Sequence, residues 1–322
     1  GLATLTKYNG ALVGVGVLLA ILARRDLRAL LASPHVYAAA AIAVLIQLPV
    51  LIWNLQTGFA SFQFHLTREG LFDPTRLGVE RTLLLLVETI VLTSPFALVP
   101  LVPFLFRRAA DGFAGVLHST TKWTFIASSV TMIGLSLVRY VLFYWNIVAY
   151  AVFLAVSPMF WRSRVLQVLQ IAYGAILSTA LLAQFAVFPY LQTIGIAEPS
   201  SRVYFGWDQI ADKVRAAEAA YDADGAAAAS WGQAARLGFA LGDADVPAIT
   251  ATRDAYDFWV DQQAMAGEDL IVLTEAEDGP QMGFLAARFD TWEKLEDIET
   301  ERFGVPMARF TLYLGRGYRP QE

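Results

Sequence analysis

Between residues 1 and 189 the chain passes through six apolar stretches, at 2–23, 36–53, 82–106, 123–144, 147–161 and 165–188. A helix that crosses a bilayer needs about 20 mainly apolar residues. Five of the six meet or approach that length, and the fifth is short and merges with the fourth. So many oily runs with so few charges are hard to keep in water as the buried helices of a soluble bundle. In lipid, every backbone N–H and C=O must find a partner within the protein, and helices achieve this. The fold expected for residues 1–189 is therefore a polytopic α-helical membrane bundle of about six helices.

The rest of the chain is different in kind. Residues 1–189 carry 13 Lys and Arg against 6 Asp and Glu, whereas residues 190–322 carry 11 against 23. An oily, basic half joined to a polar, acidic half reads as a membrane domain (1–189) followed by a water-soluble domain (190–322). The acidity argues against a nucleic-acid partner. There is no Cys, which excludes disulfides and thiolate metal sites. Three His without paired spacing point to no metal site. The chain opens on "GLATLTKYNG", inside an apolar run and without a basic leader. This reads as an N-terminally incomplete chain and not as a signal peptide.

Lys and Arg in short loops set the direction of a membrane protein. Arg24, Arg25 and Arg28 follow the first stretch, Arg107, Arg108 and Lys122 the third, and Arg162 and Arg164 the fifth. These alternate loops are expected in the cytoplasm. Residues 54–81, the Tyr144-Trp145-Asn146 link and everything after Phe188 are then expected outside. Arg68, Arg76 and Arg81 in the 54–81 loop run against the rule.

Three ionisable residues fall toward the outer ends of their runs: Lys7, Glu88 and Arg139. Charges at membrane depth usually face a bundle interior or a wet cavity. Snorkelling to the headgroups accounts equally for Lys7 and Arg139, and a structural ion pair for Glu88. The functional reading is a site for an anionic headgroup, since an Arg fork and a Lys point charge suit phosphate. Around it the outer loops place Tyr8, Trp53, Asn54, His65, Arg68, Tyr144, Trp145 and Asn146. Aromatic faces beside amides suit sugar rings, and they also suit a membrane interface. "GALVG", from Gly10 to Gly14, has the GxxxG spacing that lets two helices approach.

In order, "GLATLTKYNGALVG", a basic loop, "LPVLIWNLQTGFASFQFHL", "ETIVLTSPFALVPL", "FYWNIVAY" and "GWDQIADKV" resemble bacterial membrane glycosyltransferases of the dolichyl-phosphate-mannose-protein mannosyltransferase superfamily. Relatives of that group include the lipid A aminoarabinose and galacturonic acid transferases. The resemblance implies a GT-C fold with a periplasmic C-terminal domain in the bacterial inner membrane. It implies inverting transfer of a sugar from a polyprenyl-phosphate donor to a lipid, glycan or protein acceptor on the outer face. It places Lys7 at the donor phosphate. It places the catalytic base in an outer loop upstream of this chain, and Glu88 where relatives often carry Gln. "YWNIVAY" departs from the His-Trp-Pro-Ala form of many relatives, which leaves substrate specificity open. The residues name no cofactor and leave a divalent metal requirement open. The implied partners are a lipid-linked sugar, a lipid or glycan acceptor and membrane lipids.

In the acidic half, "GWDQIADKVRAAEAAYDA" puts Ile210, Val214 and Ala217 on one helical face. "AAAAS", "VPAITA", "DLIVLTEAED" and "ARFTLYLGRGYR" read as strands. "WGQAARLGFALG" reads as a helix, and so does "WEKLEDIETERFG", with Gly304 as its stop. Such alternation predicts a small α/β domain. Two other classes stay open: a transporter of an anionic or lipid-linked substrate, and a non-catalytic membrane scaffold.

Overall fold

The computed structural model describes residues 1–67, 78–196, 199–275, 279 and 281–321. The chain divides into two compact units, Gly1–Ser178 and Thr179–Glu322.

The first unit is helical: α1 (Leu2–Thr6), α2 (Ala11–Ala23), α3 (Pro34–Leu45), α4 (Leu48–Gln56), α5 (Ala60–Thr67), α6 (Val79–Thr93), α7 (Leu98–Phe106), α8 (Gly112–Ser136), α9 (Ile147–Val156) and α10 (Arg164–Leu182). Helix α10 continues as a π-turn, and together Arg164–Val187 is long and apolar enough to cross a membrane. The six expected runs are otherwise broken or short. Pro34–Leu45 and Leu48–Gln56 meet at 44°, Val79–Thr93 and Pro95–Phe106 at 96°, and each pair passes as one interrupted span. Tyr8–Ala23 and Phe143–Met159 are apolar but shorter. Helix α8 is 25 residues long but is not apolar enough to pass.

The break at Ser94 has a local cause. Pro95 bars the helical conformation at Ser94, which takes φ 94° and accepts from Phe96 N–H through its Oγ. The first run breaks at Lys7, which is extended (φ −159°, ψ 137°). The chain there folds back so closely that a Cβ on Gly10 would overlap the Ala3 carbonyl, at 2.1 Å.

Helix α8 buries a stripe of small and polar residues, including Ser119, Thr124, Ser128 and Ser136. Its tightest contact is with α2. A Cβ on Gly16 would lie 2.3 Å from Thr124 Cα. The close approach that the Gly10-to-Gly14 spacing suggests is thus made at Gly16, while Gly14 faces open space. Phe104 is fully buried and packs on Phe125, Phe153 and Phe160 with ring centroids 5.1–5.6 Å apart. His118 Nε2 lies 2.8 Å from Phe104 O, so this buried histidine serves packing.

The second unit opens with the short helices α11 (Tyr190–Thr193) and α12 (Pro199–Arg202), then α13 (Trp207–Tyr221). It continues as β1 (Gly225–Ala228), α14 (Trp231–Leu241), α15 (Tyr256–Trp259), β2 (Leu270–Glu275), α16 (Met282–Ala286), β3 (Thr291–Arg302) and β4 (Val305–Arg316). The sheet order is β1-β2-β4-β3, parallel between β1 and β2 and antiparallel elsewhere. Leu270 to Leu273 are fully buried, so β2 is covered on both faces. Ile210, Val214 and Ala217 are buried as the helical periodicity requires. "VPAITA" makes only an isolated bridge, Ala248 to Ala228.

One element is corrected outright. "WEKLEDIETERFG" is not a helix but strand β3. Gly304 does not stop a helix; it closes a two-residue hairpin between Arg302 and Val305, with Phe303 at φ 52° and Gly304 at φ 74°. Positive φ at both central residues gives the turn whose twist matches paired strands. Thr311 Oγ1 donates to Asp297 at 2.7 Å and Arg309 pairs with Glu299 at 3.1 Å across the strands. Those pairs override the helical propensity of Glu, Lys and Leu.

Gly304→Ala should destabilise the second unit by about 1–2 kcal/mol, because a Cβ is strained at positive φ. Chemical unfolding followed by tryptophan fluorescence reads the shift.

Candidate functional site

The break at Lys7 assembles the site. Residues Tyr8–Gly10 form a single 3-10 turn before α2. Asn9 Nδ2 donates to the carbonyl of Trp145, which lies in a second 3-10 turn, Phe143–Asn146. This bond joins two irregular segments that lie 136 residues apart in the chain.

Two cations then lie on consecutive rings. Lys7 Nζ sits 4.9 Å from the Tyr144 ring centroid, and the Arg139 guanidinium 5.5 Å from that of Trp145. Ring faces attract cations through their quadrupole, and weakly enough to let an anion compete. Among the described residues Lys7 makes no ion pair. Arg139 does not ride inside the fourth helix as expected. Helix α8 ends at Ser136, and Arg139 lies in the irregular link beyond it.

A second chain of contacts comes from the following helices. Tyr8 stacks on Phe62 at 5.4 Å, and its hydroxyl lies 2.7 Å from Ser61 Oγ. Ser61 donates to Asn54 Oδ1 at 2.6 Å. Asn54 is fully buried and also donates to Val50 O at 2.9 Å. It therefore supports the wall from behind and offers no amide to a ligand. Trp53, at 39% exposure, and Tyr144, at 45%, present open ring surface.

Asn146 and Glu88 make contacts of their own. Asn146 is buried and faces α8, accepting from Ser128 at 2.7 Å and donating to Ser129 at 3.2 Å. It ties the 3-10 turn to the helix. Glu88 is half-buried on α6, within electrostatic reach of Tyr140 and Tyr150. Tyr150 in turn meets Thr89 at 2.7 Å. Arg68 and the side chain of His65 lie outside the described residues. Among those described, no group of three or more His, Asp or Glu is arranged to hold a metal ion.

Asn9 and Ser61 escaped the sequence reading although both lie in the quoted segments. They are small polar residues beside larger aromatic ones. Their role appears only when residues 54 and 61, or 9 and 145, are seen to meet.

A family model described as dolichyl-phosphate-mannose-protein mannosyltransferase matches residues 1–53. The match contains Lys7, Tyr8 and Trp53 and stops one residue before Asn54. No curated protein and no solved structure matches the chain.

The buried Asn146 amide yields a direct expectation. Asn146→Ala should lower stability by about 1–2 kcal/mol, the scale of an interhelical hydrogen bond in membrane proteins. Unfolding in detergent measures it.

Proposed function

We propose that the chain is part of a membrane glycosyltransferase of the mannosyltransferase type, which takes a sugar from a polyprenyl-phosphate donor. The family match over residues 1–53 supports the class, and the apolar helices support the membrane location. The observation that carries the site is the pair of cations, Lys7 and Arg139, held over the adjacent rings of Tyr144 and Trp145.

The chemistry follows from the bond that must break. The acceptor hydroxyl oxygen attacks the anomeric carbon. The bond from that carbon to the phosphate oxygen breaks, and the electron pair leaves with the polyprenyl phosphate. Negative charge grows on that oxygen through the transition state. Cations fixed beside it lower the barrier, because their attraction rises as the charge develops. Lys7 and Arg139 take this role. The hydroxyl proton passes to a base that these residues do not include. Exposed faces of Trp53 and Tyr144 give a sugar ring a surface to stack on. By the loop charges the site faces outward, the acidic unit lies in the periplasm of a bacterial inner membrane, and the acceptor is a lipid, glycan or protein.

A carrier of a lipid-linked anion is the second reading. The interrupted pairs at residues 45–48 and at Ser94 favour it, since discontinuous helices line many transport sites. Purified protein in vesicles separates the two: a transferase forms a new glycosidic bond, and a carrier only moves its substrate.

Lys7→Ala and Arg139→Ala in the full-length protein should each lower sugar transfer about a hundredfold or more, the scale for losing one group that stabilises a developing oxyanion. Lys7→Arg should recover part of the loss. Near wild-type turnover in both alanine variants sinks the assignment.

A further inference from the structure

The far end of the same helix pair holds a second concentration of positive charge. Helix α2 begins beside Lys7 and ends at Ala23. Helix α8 runs back from Gly112 to Ser136 near Arg139. Sixteen residues of rise from Tyr8 to Ala23 separate the two ends by roughly 24 Å. At this second end an open cleft of about 350 Å³ is lined by Arg24, Arg25, Arg107, Arg108 and Lys122, with Trp123 at its wall.

The cations are not balanced from within. Asp26 engages Arg24 through both oxygens, at 3.0 and 2.6 Å, and Arg24 also donates to Ala110 O at 3.1 Å. Among the described residues, the side chains of Arg25, Arg107, Arg108 and Lys122 make no hydrogen bond or ion pair, and the other carboxylate at the cleft is Asp111. Like charges gathered around one concavity raise its positive potential and favour an anion there. The loops that carry them are held together, since Arg24 bonds the backbone beside Asp111 while fixed by Asp26. Two of the four are adjacent arginines, whose planar forks donate to phosphate oxygens in pairs.

We propose that this cleft binds a phosphate group, carried either by an anionic lipid headgroup or by a soluble phosphoester. Basic pockets between membrane helices recognise lipid phosphates in this way. Trp123 at the wall provides the amphipathic ring found at the headgroup level. The site rests on the membrane reading but not on sugar transfer, and Lys7→Ala should leave it intact.

The test uses the full chain in neutral phosphatidylcholine nanodiscs. Fluorescent phosphatidylglycerol is titrated into one arm and inorganic phosphate into the other, with thermal unfolding as a second readout. Saturable phosphatidylglycerol binding that phosphate does not displace identifies a lipid headgroup. Protection by phosphate alone identifies a soluble phosphoester. Arg107→Gln with Arg108→Gln and Lys122→Gln should weaken binding about a hundredfold, given roughly 1 kcal/mol per cation near an anionic surface. Arg162→Gln with Arg164→Gln, outside the cleft, should leave it nearly unchanged. Unfolding in neutral lipid without ligand should be the same for both variants. No saturable binding of either probe, or equal loss in the control variant, overturns the proposal.

Discussion

Helices α2 and α8 lie against each other with almost nothing between their backbones at Gly16 and Thr124, and the first unit is organised around this contact. In lipid there is little hydrophobic gain from pairing two helices, so close approach and small polar contacts must hold them. Helix α8 supplies such a surface with its serines and threonines. The pair is antiparallel, so each end collects loops from both helices. One end gathers Lys7 and the 143–146 turn, the other the arginines after α2 and α7. A shift in the packing at Gly16 would displace both.

The irregular segments are equally constrained. Asn9 holds Trp145 through its backbone, Asn146 holds α8 through Ser128 and Ser129, and Ser61 links Tyr8 to Asn54. The bonds of Asn54 and Asn146 satisfy buried amides that would be expensive to leave unpaired. Hydrogen bonding and ring placement are therefore solved by the same short stretches. The cations hold position through ring contacts, while the surrounding amides fix the rings.

Hydropathy made the helical nature of residues 1–189 legible, and period made α13, α14, β2 and β4 legible. Hydropathy alone did not reveal the interruptions, but Pro49 and Pro95, residues that kink or end helices, mark the breaks at 45–48 and at Ser94. An apolar window looks the same whether the helix continues or turns by 96° at Ser94, and only the pre-proline restriction hints at the turn. Residues 292–304 read as a helix for the opposite reason. Their composition favours a helix, but the partner that fixes them as a strand is β4, which follows a two-residue turn. At the candidate site, Lys7, Arg139, Tyr144 and Trp145 stood out by chemistry. Asn54 and Asn146 had the same chemical profile, and only their buried hydrogen bonds show that they face the protein and not a ligand.

The break at Lys7 is satisfied by its own backbone: Lys7 N–H reaches Ala3 O at 3.2 Å, and Gly10 N–H reaches Lys7 O at 2.8 Å. The turn thus depends on Gly10 and Asn9 and asks nothing of the side chain at position 7. Architecture and chemistry are decoupled at this point. The ammonium stands apart from the hydrogen bonds that shape the turn, so exchanging it alters the charge presented there and leaves the bonds of the scaffold in place.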